Sequence, residues 1–258
     1  MKNIPVCILC GGTGTRMKEE TEFRPKPMVP VGGQPMVMHI MRYYAHFGFR
    51  KFILALGYKQ EAFKEYFFHL DLVRSDVRIQ YGQQPHMTYE CQPLDWDVIL
   101  ADTGERTMKG ARLKRVERYV GAETFCMTYG DAVSDVDLQA LMEFHRGHGK
   151  MCTVTGIHPA PRFGEIHQQE GRVLSFTEKP ENGQLVNGGF FVFNRRIFDY
   201  LTADEWCDLE VGPLEIVAQK GEMMVYEHRG WWGCMDTIKE MAELDVLWRE
   251  GRAPWKVW

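Results

Sequence analysis

Few features of the sequence suggest a membrane or a nucleic acid as a partner. No apolar run in the 258 residues approaches the ~18–20 residues that a membrane span needs. Met1-Lys2-Asn3 leads into a strand-like segment and does not resemble a signal peptide. A basic surplus is also missing, since the formal net charge is −4, whereas nucleic-acid binding would favour such a surplus. We therefore expect an ordered, soluble, cytoplasmic protein with no membrane or nucleic-acid partner.

The seven cysteines show neither a disulfide framework nor a metal site. Their number is odd and no secretion signal is seen, so reduced thiols are expected. Cys7 and Cys10 form a C-x-x-C motif, which zinc and redox sites also use. However, Cys7 lies within the apolar run 4–9, and no second pair completes a site. We interpret both cysteines as small residues of the core.

Short apolar runs alternate with amphipathic segments in the first half of the chain, which predicts a parallel α/β sheet. Strands are predicted at Ile4–Leu9, Lys51–Leu56, Val77–Tyr81 and Thr124–Tyr129, and helices at Gln34–Gly48 and Gln60–His69. The second half is richer in β segments, with strands predicted at Met151–Ile157, Arg172–Phe176 and Gly188–Phe193, and helices at Leu138–His148, Leu214–Gly221 and Thr237–Glu250. No linker interrupts the pattern. We predict one α/β domain, 1–258, with a doubly wound, mostly parallel (mixed) central sheet and a Rossmann-like first half.

A glycine-rich loop follows the first predicted strand. Its sequence, CGGTGTRMKEETEFRPKP, runs from Cys10 to Pro27. A loop that leaves the carboxyl end of a parallel strand is where α/β sheets bind ligands, and glycines let backbone N–H groups approach phosphate oxygens. Arg16 can donate two hydrogen bonds to a phosphate, and Lys26 supplies a compact positive charge. The loop matches neither G-x-x-x-x-G-K-[ST] nor G-x-G-x-x-G, so its spacing alone predicts a generic anion site.

The loop resembles that of the sugar nucleotidyltransferases, which carry G-G-x-G-T-R and, about ten residues later, P-K-P. Here these are residues 11–16 and Pro25-Lys26-Pro27. Within this superfamily the chain is most similar, over its whole length, to the glucose-1-phosphate cytidylyltransferase family. The similar passages are 19–21, 102–105, 112–115, 128–131, 162–164, 178–180, 187–191, 235–237 and the ending 253–258.

The resemblance implies a reaction in which CTP and α-D-glucose 1-phosphate give CDP-glucose and pyrophosphate. It implies that residues 1–137 mainly bind the nucleotide and 138–258 the sugar phosphate. The implied catalytic residues are Arg16, Lys26, Asp131, Lys179 and Asp236. The implied nucleotide-binding residues are Leu9, Gly11, Gly12, Gly14, Thr15, Arg16, Lys26, Gly110, Arg112 and Asp131. The implied sugar-phosphate-binding residues are Gly164, Glu178, Lys179, Asn187 and Gly188.

Asp131 and Asp236 are implied ligands of Mg²⁺, with Mn²⁺ as an alternative metal, because a hard cation prefers carboxylate and phosphate oxygens. The resemblance also implies a homo-oligomer, of which a hexamer is one form, and a place in deoxysugar and O-antigen biosynthesis.

Several alternatives stay open. Asp135-Val136-Asp137 has the D-x-D pattern of many glycosyltransferases, but Asp137 directly precedes a predicted helix, which favours an N-cap. Lys114 and Arg115 could belong to a solvated helix face. Cys10, Thr13, Ala132 and segment 206–212 depart from the family pattern, so another base or hexose is an alternative. A catalytically inactive subunit is a further alternative, and the presence of all five implied catalytic residues argues against it. A glycosyltransferase is another, but it would need no pyrophosphate-binding cations, so Arg16 and Lys26 argue against it.

Overall fold

The fold is taken from a computed structural model, which describes residues 1–82, 86–90, 93–159, 165–177 and 184–258. The strands are β1 (Pro5–Leu9), β2 (Pro30–Val31), β3 (Gln34–Pro35), β4 (Lys51–Leu56), β5 (Asp76–Gln80), β6 (His86–Glu90), β7 (Asp97–Asp102), β8 (Thr124–Tyr129), β9 (Ala132–Ser134), β10 (Cys152–Ile157), β11 (Glu165–Gln169), β12 (Arg172–Thr177), β13 (Val186–Asn194), β14 (Met223–His228) and β15 (Trp232–Cys234). The helices are α1 (Lys18–Thr21), α2 (Met36–His46), α3 (Gln60–Phe68), α4 (Leu70–Arg74), α5 (Lys109–Arg115), α6 (Leu138–His148), α7 (Glu215–Gln219) and α8 (Ile238–Arg249).

Seven strands form one central sheet in the order β14-β10-β13-β8-β1-β4-β7. The strands β8, β1, β4 and β7 are mutually parallel, and β10 is parallel to β14. Strand β13 is antiparallel to both of its neighbours, β10 and β8. The prediction of a mostly parallel, mixed sheet is therefore confirmed. Strands from both halves of the chain belong to it.

Three predicted elements agree with the structure at both ends. Strands β4 and β8 and helix α6 have the predicted bounds. Edge strands β7 and β14 were missed because most of their residues are only half-buried or exposed, so their sequences carry polar residues that break the apolar pattern. The strand predicted at Val77–Tyr81 exists as β5, but it pairs with β6 in a separate hairpin.

The central sheet separates two apolar cores, and the C-x-x-C motif spans both. Cys7 packs with Leu9 and Ile53 on one face, whereas Cys10 packs with Val6 and Ile8 on the other. Burial raises the pKa of both thiols, which keeps them protonated. The interpretation of both cysteines as core residues is confirmed. Six cysteines of the described residues are free thiols, and Cys91 lies outside those residues.

Within the part of the chain that the structure describes, no helix has the length and apolarity to cross a membrane.

Candidate active site

A cleft of about 600 Å³ lies at the carboxyl ends of β1 and β8. Most of the predicted site residues line it, although they come from distant parts of the sequence. These residues are Leu9, Gly11, Gly12, Gly14, Thr15, Arg16, Lys26, Arg112, Asp131, Asn187, Gly188 and Asp236. Gly110 does not line the cleft, because it packs against the backbone of Cys207 and Asp208. Gly164, Glu178 and Lys179 lie outside the residues that the structure describes.

The glycine-rich loop (residues 10–27) lies directly against the end of β8. The backbone N–H of Gly130 donates to the carbonyl of Leu9 at 3.1 Å, so the pairing with β1 extends one residue past the end of β8. A Cβ at position 130 would press against the ring of Pro27 and the Leu9 carbonyl. A glycine is therefore required there for close approach. This contact brings Lys26, beside Pro27, next to Asp131, beside Gly130.

Arg112 supports the backbone around the glycine-rich loop. It is buried, and its two terminal nitrogens donate to protein oxygens only. The acceptors are the carbonyl oxygens of Gly11, Leu56, Gly104 and Glu105 and the hydroxyl of Thr103. The family resemblance implies that Arg112 binds the nucleotide. That role stays a prediction, and the contacts of the structure give Arg112 a supporting function.

A short two-stranded ladder brings the two predicted metal aspartates together. Strands β9 and β15 are antiparallel, and Cys234 pairs with Ala132. Asp131 immediately precedes β9, and Asp236 lies two residues after β15. The N–H of Met235 donates to the Asp131 carbonyl at 2.8 Å, which extends the ladder to the aspartates themselves. Both carboxylates therefore sit on one rigid β element.

Two cations contact these carboxylates. Lys26 Nζ lies 2.7 Å from Asp131 Oδ2 and 2.5 Å from Asp236 Oδ1. Arg16 Nη1 lies 2.7 Å from the other oxygen of Asp236. Burial lowers the pKa of Lys26, but the charges and hydrogen bonds of the two aspartates outweigh burial and raise that pKa overall. For Asp236, burial raises the pKa, and its bonds with Lys26 and Arg16 outweigh this and lower it.

Sequence reasoning missed most of a polar wall that joins Asn187 in the cleft. The Tyr129 hydroxyl donates to Glu210 Oε1 at 2.5 Å and accepts from Asn187 Nδ2 at 3.1 Å. Lys109 Nζ lies 2.6 Å from the same Glu210 oxygen. Burial, and then the Glu210 charge, raise the pKa of Tyr129, so its hydroxyl stays protonated. The position of Tyr129 beside Gly130 could have revealed it, whereas no sequence signal connects Lys109 with Glu210.

An aromatic side chain contacts the backbone next to Asn187. Trp232 Nε1 donates to the carbonyl of Gly188 at 2.8 Å, and Trp232 also lines the cleft. Because Trp232 belongs to β15, the strand that precedes Asp236 also holds the backbone predicted to bind the sugar.

The D-x-D motif is structural. Asp137 is the N-cap of α6, and its side chain accepts from the backbone N–H groups of Gln139 and Ala140. Asp135 Oδ1 lies 2.9 Å from His228 Nε2. Neither aspartate lines the cleft. The N-cap interpretation is therefore confirmed.

Lys114 and Arg115 both contact backbone carbonyls, which a purely solvated helix face would not require. Lys114 donates to the carbonyl of Phe198 and pairs with Glu117. Arg115 donates to the carbonyls of Thr103 and Ala203. Both therefore tie α5 to neighbouring loops.

The two carboxylates fit a divalent metal that also takes substrate oxygens. Within the described ranges, no group of three or more His, Cys, Asp or Glu side chains could hold a metal ion by itself. Mg²⁺ is commonly bound in this way, by one or two carboxylates together with waters and phosphate oxygens.

Three comparisons relate the chain to known proteins. The family model described as nucleotidyl transferase matches residues 5–232. A glucose-1-phosphate cytidylyltransferase of Salmonella typhi is 45% identical over 253 residues, which is 97% of this chain and 98% of that protein. The protein of the same name from Salmonella typhimurium is also 45% identical, with the same coverage.

Solved structures resemble the chain in fold. A UDP-glucose pyrophosphorylase complexed with UDP-glucose superimposes with a TM-score of 0.68 at 15% identity, covering 98% of this chain and 100% of the other. At this identity the likeness concerns the fold alone. Both chains therefore share the mixed central sheet with helices packed against it.

Proposed function

The chain belongs to the nucleotidyl transferase family, and from this premise we propose that it joins CTP and α-D-glucose 1-phosphate to give CDP-glucose and pyrophosphate. The relatives named glucose-1-phosphate cytidylyltransferase support the choice of substrates, because they are 45% identical over nearly the whole chain. The observation that carries the reaction type is the meeting of Arg16, Lys26, Asp131 and Asp236 in one cleft beside the glycine-rich loop.

The two substrates are both anions, so repulsion between them is a large part of the barrier. The proposed reaction is an in-line attack of the sugar phosphate oxygen on the α-phosphate of CTP. No protein nucleophile is needed. Positioning and positive charge are enough. The backbone N–H groups of Gly11 and Gly12, together with Arg16, would bind the triphosphate. Lys26 would neutralise the charge that develops on the leaving pyrophosphate.

The sugar phosphate would bind on the side of the cleft that Asn187, Gly188 and Trp232 form. The Asn187 side chain is held by Tyr129 and by the backbone N–H of Gly189, so it is already oriented. We further propose that Glu178 accepts hydrogen bonds from sugar hydroxyls, that Gly164 contacts the sugar through its backbone, and that Lys179 neutralises the sugar phosphate. These three roles rest on the family motif.

Asp131 and Asp236 are proposed to bind Mg²⁺, which Mn²⁺ could replace. The metal would supply positive charge to the phosphate oxygens and lower their repulsion. The ladder of β9 and β15 supports this proposal, because it holds the two carboxylates close together in the cleft. The remaining ligands would be phosphate oxygens and water.

We also propose a cytoplasmic homo-oligomer, with a hexamer as one form, that serves deoxysugar and O-antigen biosynthesis. The free thiols support a reducing compartment. Exposed apolar side chains, such as Phe68, Val73 and Tyr81, support association of subunits.

The decisive experiment measures pyrophosphate release over a grid of nucleoside triphosphates and sugar 1-phosphates. Release should require CTP, glucose 1-phosphate and Mg²⁺ together. The double variant Asp131→Asn/Asp236→Asn is the matched control and should be inactive. Equal or better release with UTP or dTTP would overturn the cytidylyl assignment and keep the reaction type. An absence of release with every pair would favour an inactive subunit.

A further inference from the structure

Lys26 contacts both of the aspartates that are proposed to bind the metal. Its Nζ is 2.7 Å from Asp131 Oδ2 and 2.5 Å from Asp236 Oδ1, so one ammonium bridges both carboxylates. The side chain is only 11% exposed, and Asp131 and Asp236 are 29% and 20% exposed. The bridge is therefore a partly desolvated interaction, stronger than an ion pair on the surface.

The remaining oxygen of Asp236 also has a cationic partner. Arg16 Nη1 lies 2.7 Å from Asp236 Oδ2, and the Arg16 side chain is 72% exposed. Asp236 thus has a separate cation on each oxygen. The four side chains form a cluster with two positive and two negative charges, so the protein neutralises its own carboxylates.

An ammonium and a divalent cation on the same pair of carboxylates oppose each other. Their charges repel, and they compete for the same lone pairs. Within the described residues, no group of three or more His, Cys, Asp or Glu side chains could hold a metal ion by itself. A free metal ion would therefore compete with Lys26 and would gain few protein ligands in return.

A bound triphosphate changes this balance. It supplies anionic oxygens that can accept from Lys26 and Arg16, both of which line the cleft next to the glycine-rich loop. It also supplies oxygens that complete the coordination of a metal. The cations would leave the aspartates as the metal arrives.

We propose that Lys26 is an internal cation that holds Asp131 and Asp236 in place and excludes free divalent metal, so that metal binds together with the nucleotide. This inference rests on the proposed function in one respect only, that a triphosphate is the group to which Lys26 would donate once it leaves the two aspartates. Lys26 is in this respect a positioning residue for the two aspartates, in addition to its proposed contact with phosphate.

The test is a titration of the full chain with Mn²⁺ alone, without nucleotide or sugar, in which electron paramagnetic resonance counts the free metal. The native protein should bind Mn²⁺ weakly. Lys26→Met removes the ammonium and keeps most of the aliphatic stem. It should bind Mn²⁺ about 10- to 100-fold more tightly, which is the range expected for the loss of charge-assisted hydrogen bonds that compete with the metal.

Three variants serve as controls. Lys26→Arg keeps a positive charge and should bind Mn²⁺ as weakly as the native protein, which also tests whether any change at this position simply loosens the fold. Lys109→Met removes another ammonium of the cleft that pairs with Glu210, and it should leave the affinity for Mn²⁺ alone unchanged. Lys26→Met/Asp131→Asn should lose the gain, because one of the two carboxylates is gone.

A second readout is thermal unfolding, since a ligand that binds only the folded state raises the midpoint. Mn²⁺ at a concentration that just saturates Lys26→Met should raise the midpoint of this variant and leave that of the native protein nearly unchanged. Equal Mn²⁺ affinity in the native protein and Lys26→Met, with both folded, would overturn the proposal. So would a gain of equal size in Lys109→Met.

The result is independent of the substrate assignment. Suppose that Lys26→Met binds Mn²⁺ more tightly and that the native protein releases no pyrophosphate from CTP. The proposed function would then be refuted, and the exclusion of free metal would stand. Release of pyrophosphate together with equal Mn²⁺ affinities would do the reverse.

Discussion

The backbone N–H of Met235 donates to the carbonyl oxygen of Asp131 at 2.8 Å. This single hydrogen bond joins a residue next to Asp236 with a strand end from the middle of the chain. It continues the β9–β15 ladder, in which Cys234 pairs with Ala132. Backbone pairing therefore sets the separation of the two carboxylates, and no direct contact between their side chains is needed for it.

The first prediction concerns these carboxylates. Asp131→Asn and Asp236→Asn each remove one negative charge at nearly constant shape, so the ladder should stay intact. We expect kcat for pyrophosphate release to fall on the order of 10²-fold or more if preorganised charge dominates the barrier. Circular dichroism should be unchanged. Near-normal turnover of Asp236→Asn would show that this carboxylate is structural.

The second prediction separates two lysines. Lys26 follows the nucleotide loop, so Lys26→Met should mainly lower kcat or weaken CTP binding. Lys179→Gln should raise the KM for glucose 1-phosphate far more than that for CTP. The loss of one charge-assisted hydrogen bond to phosphate should cost roughly 1.5–3 kcal/mol, about 10- to 150-fold. Equal effects of both variants on both substrates would contradict the division into nucleotide and sugar-phosphate sides.

The third prediction compares two adjacent glycines. A Cβ on Gly11 would overlap the guanidinium of Arg112, whereas a Cβ on Gly12 meets no heavy atom within 4 Å. Gly11→Ala should therefore displace Arg112 from its backbone acceptors and lower the unfolding temperature by several degrees. Gly12→Ala should leave the unfolding temperature unchanged and weaken CTP binding alone, because its methyl group would face the phosphates. Identical unfolding temperatures for the two variants would argue against the supporting role of Arg112.

The fourth prediction tests the D-x-D motif. Asp137→Ala removes the N-cap of α6 and leaves the N–H groups of Gln139 and Ala140 without their acceptor. The free energy of unfolding, measured by denaturant titration, should fall by about 0.5–2 kcal/mol, the usual cost of losing an N-cap side chain. Turnover at saturating substrates should not change. Asp137→Asn keeps a capping oxygen and should recover most of the stability, and a large loss of kcat in either variant would instead indicate a metal ligand.

The fifth prediction concerns acid stability. His39 Nε2 donates to the Val31 carbonyl at 2.8 Å, and His39 Nδ1 accepts from Trp255 Nε1 at 3.2 Å. Burial, the largest cause, lowers the pKa of His39 to about 4, below the usual value of ~6.5. Between these pH values, His39 is therefore protonated in the unfolded chain and neutral in the folded chain. The stability from neutral His39 is fully present above pH ~6.5 and is lost as the pH falls toward 4, by on the order of 3 kcal/mol.

His39→Gln can keep both hydrogen bonds without titrating, so it should flatten the fall in unfolding free energy between pH 6.5 and 4. Part of the fall should remain, because burial also lowers the pKa of His145 to about 4. His167→Gln, at an exposed position of a hairpin, is the matched control. An unchanged pH slope in His39→Gln would show that other groups control acid unfolding.

The core of the fold could be predicted from the sequence because its signals are local. The bounds of β4, β8 and α6 follow from apolar runs and a capping aspartate within a few residues. The glycine-rich loop and the lysine after it likewise lie in one continuous segment. Among the seven strands of the central sheet, β7 and β14 at its edges were not predicted, because half-exposed strands need no continuous apolar run.

The sequence by itself determined the chemistry of the cleft, since the residue types that bind phosphate and metal stand in recognisable motifs. Only the tertiary structure decided how these residues meet. The bridge of Lys26 between Asp131 and Asp236 depends on the β9–β15 ladder and on the close approach of Gly130 to Pro27. The pairing of Lys109 with Glu210, and the buried Arg112 beneath Gly11, depend in the same way on contacts between distant segments. The physical reason is that a hydrogen bond or ion pair is set by distances of about 3 Å in space, which no spacing along the chain encodes.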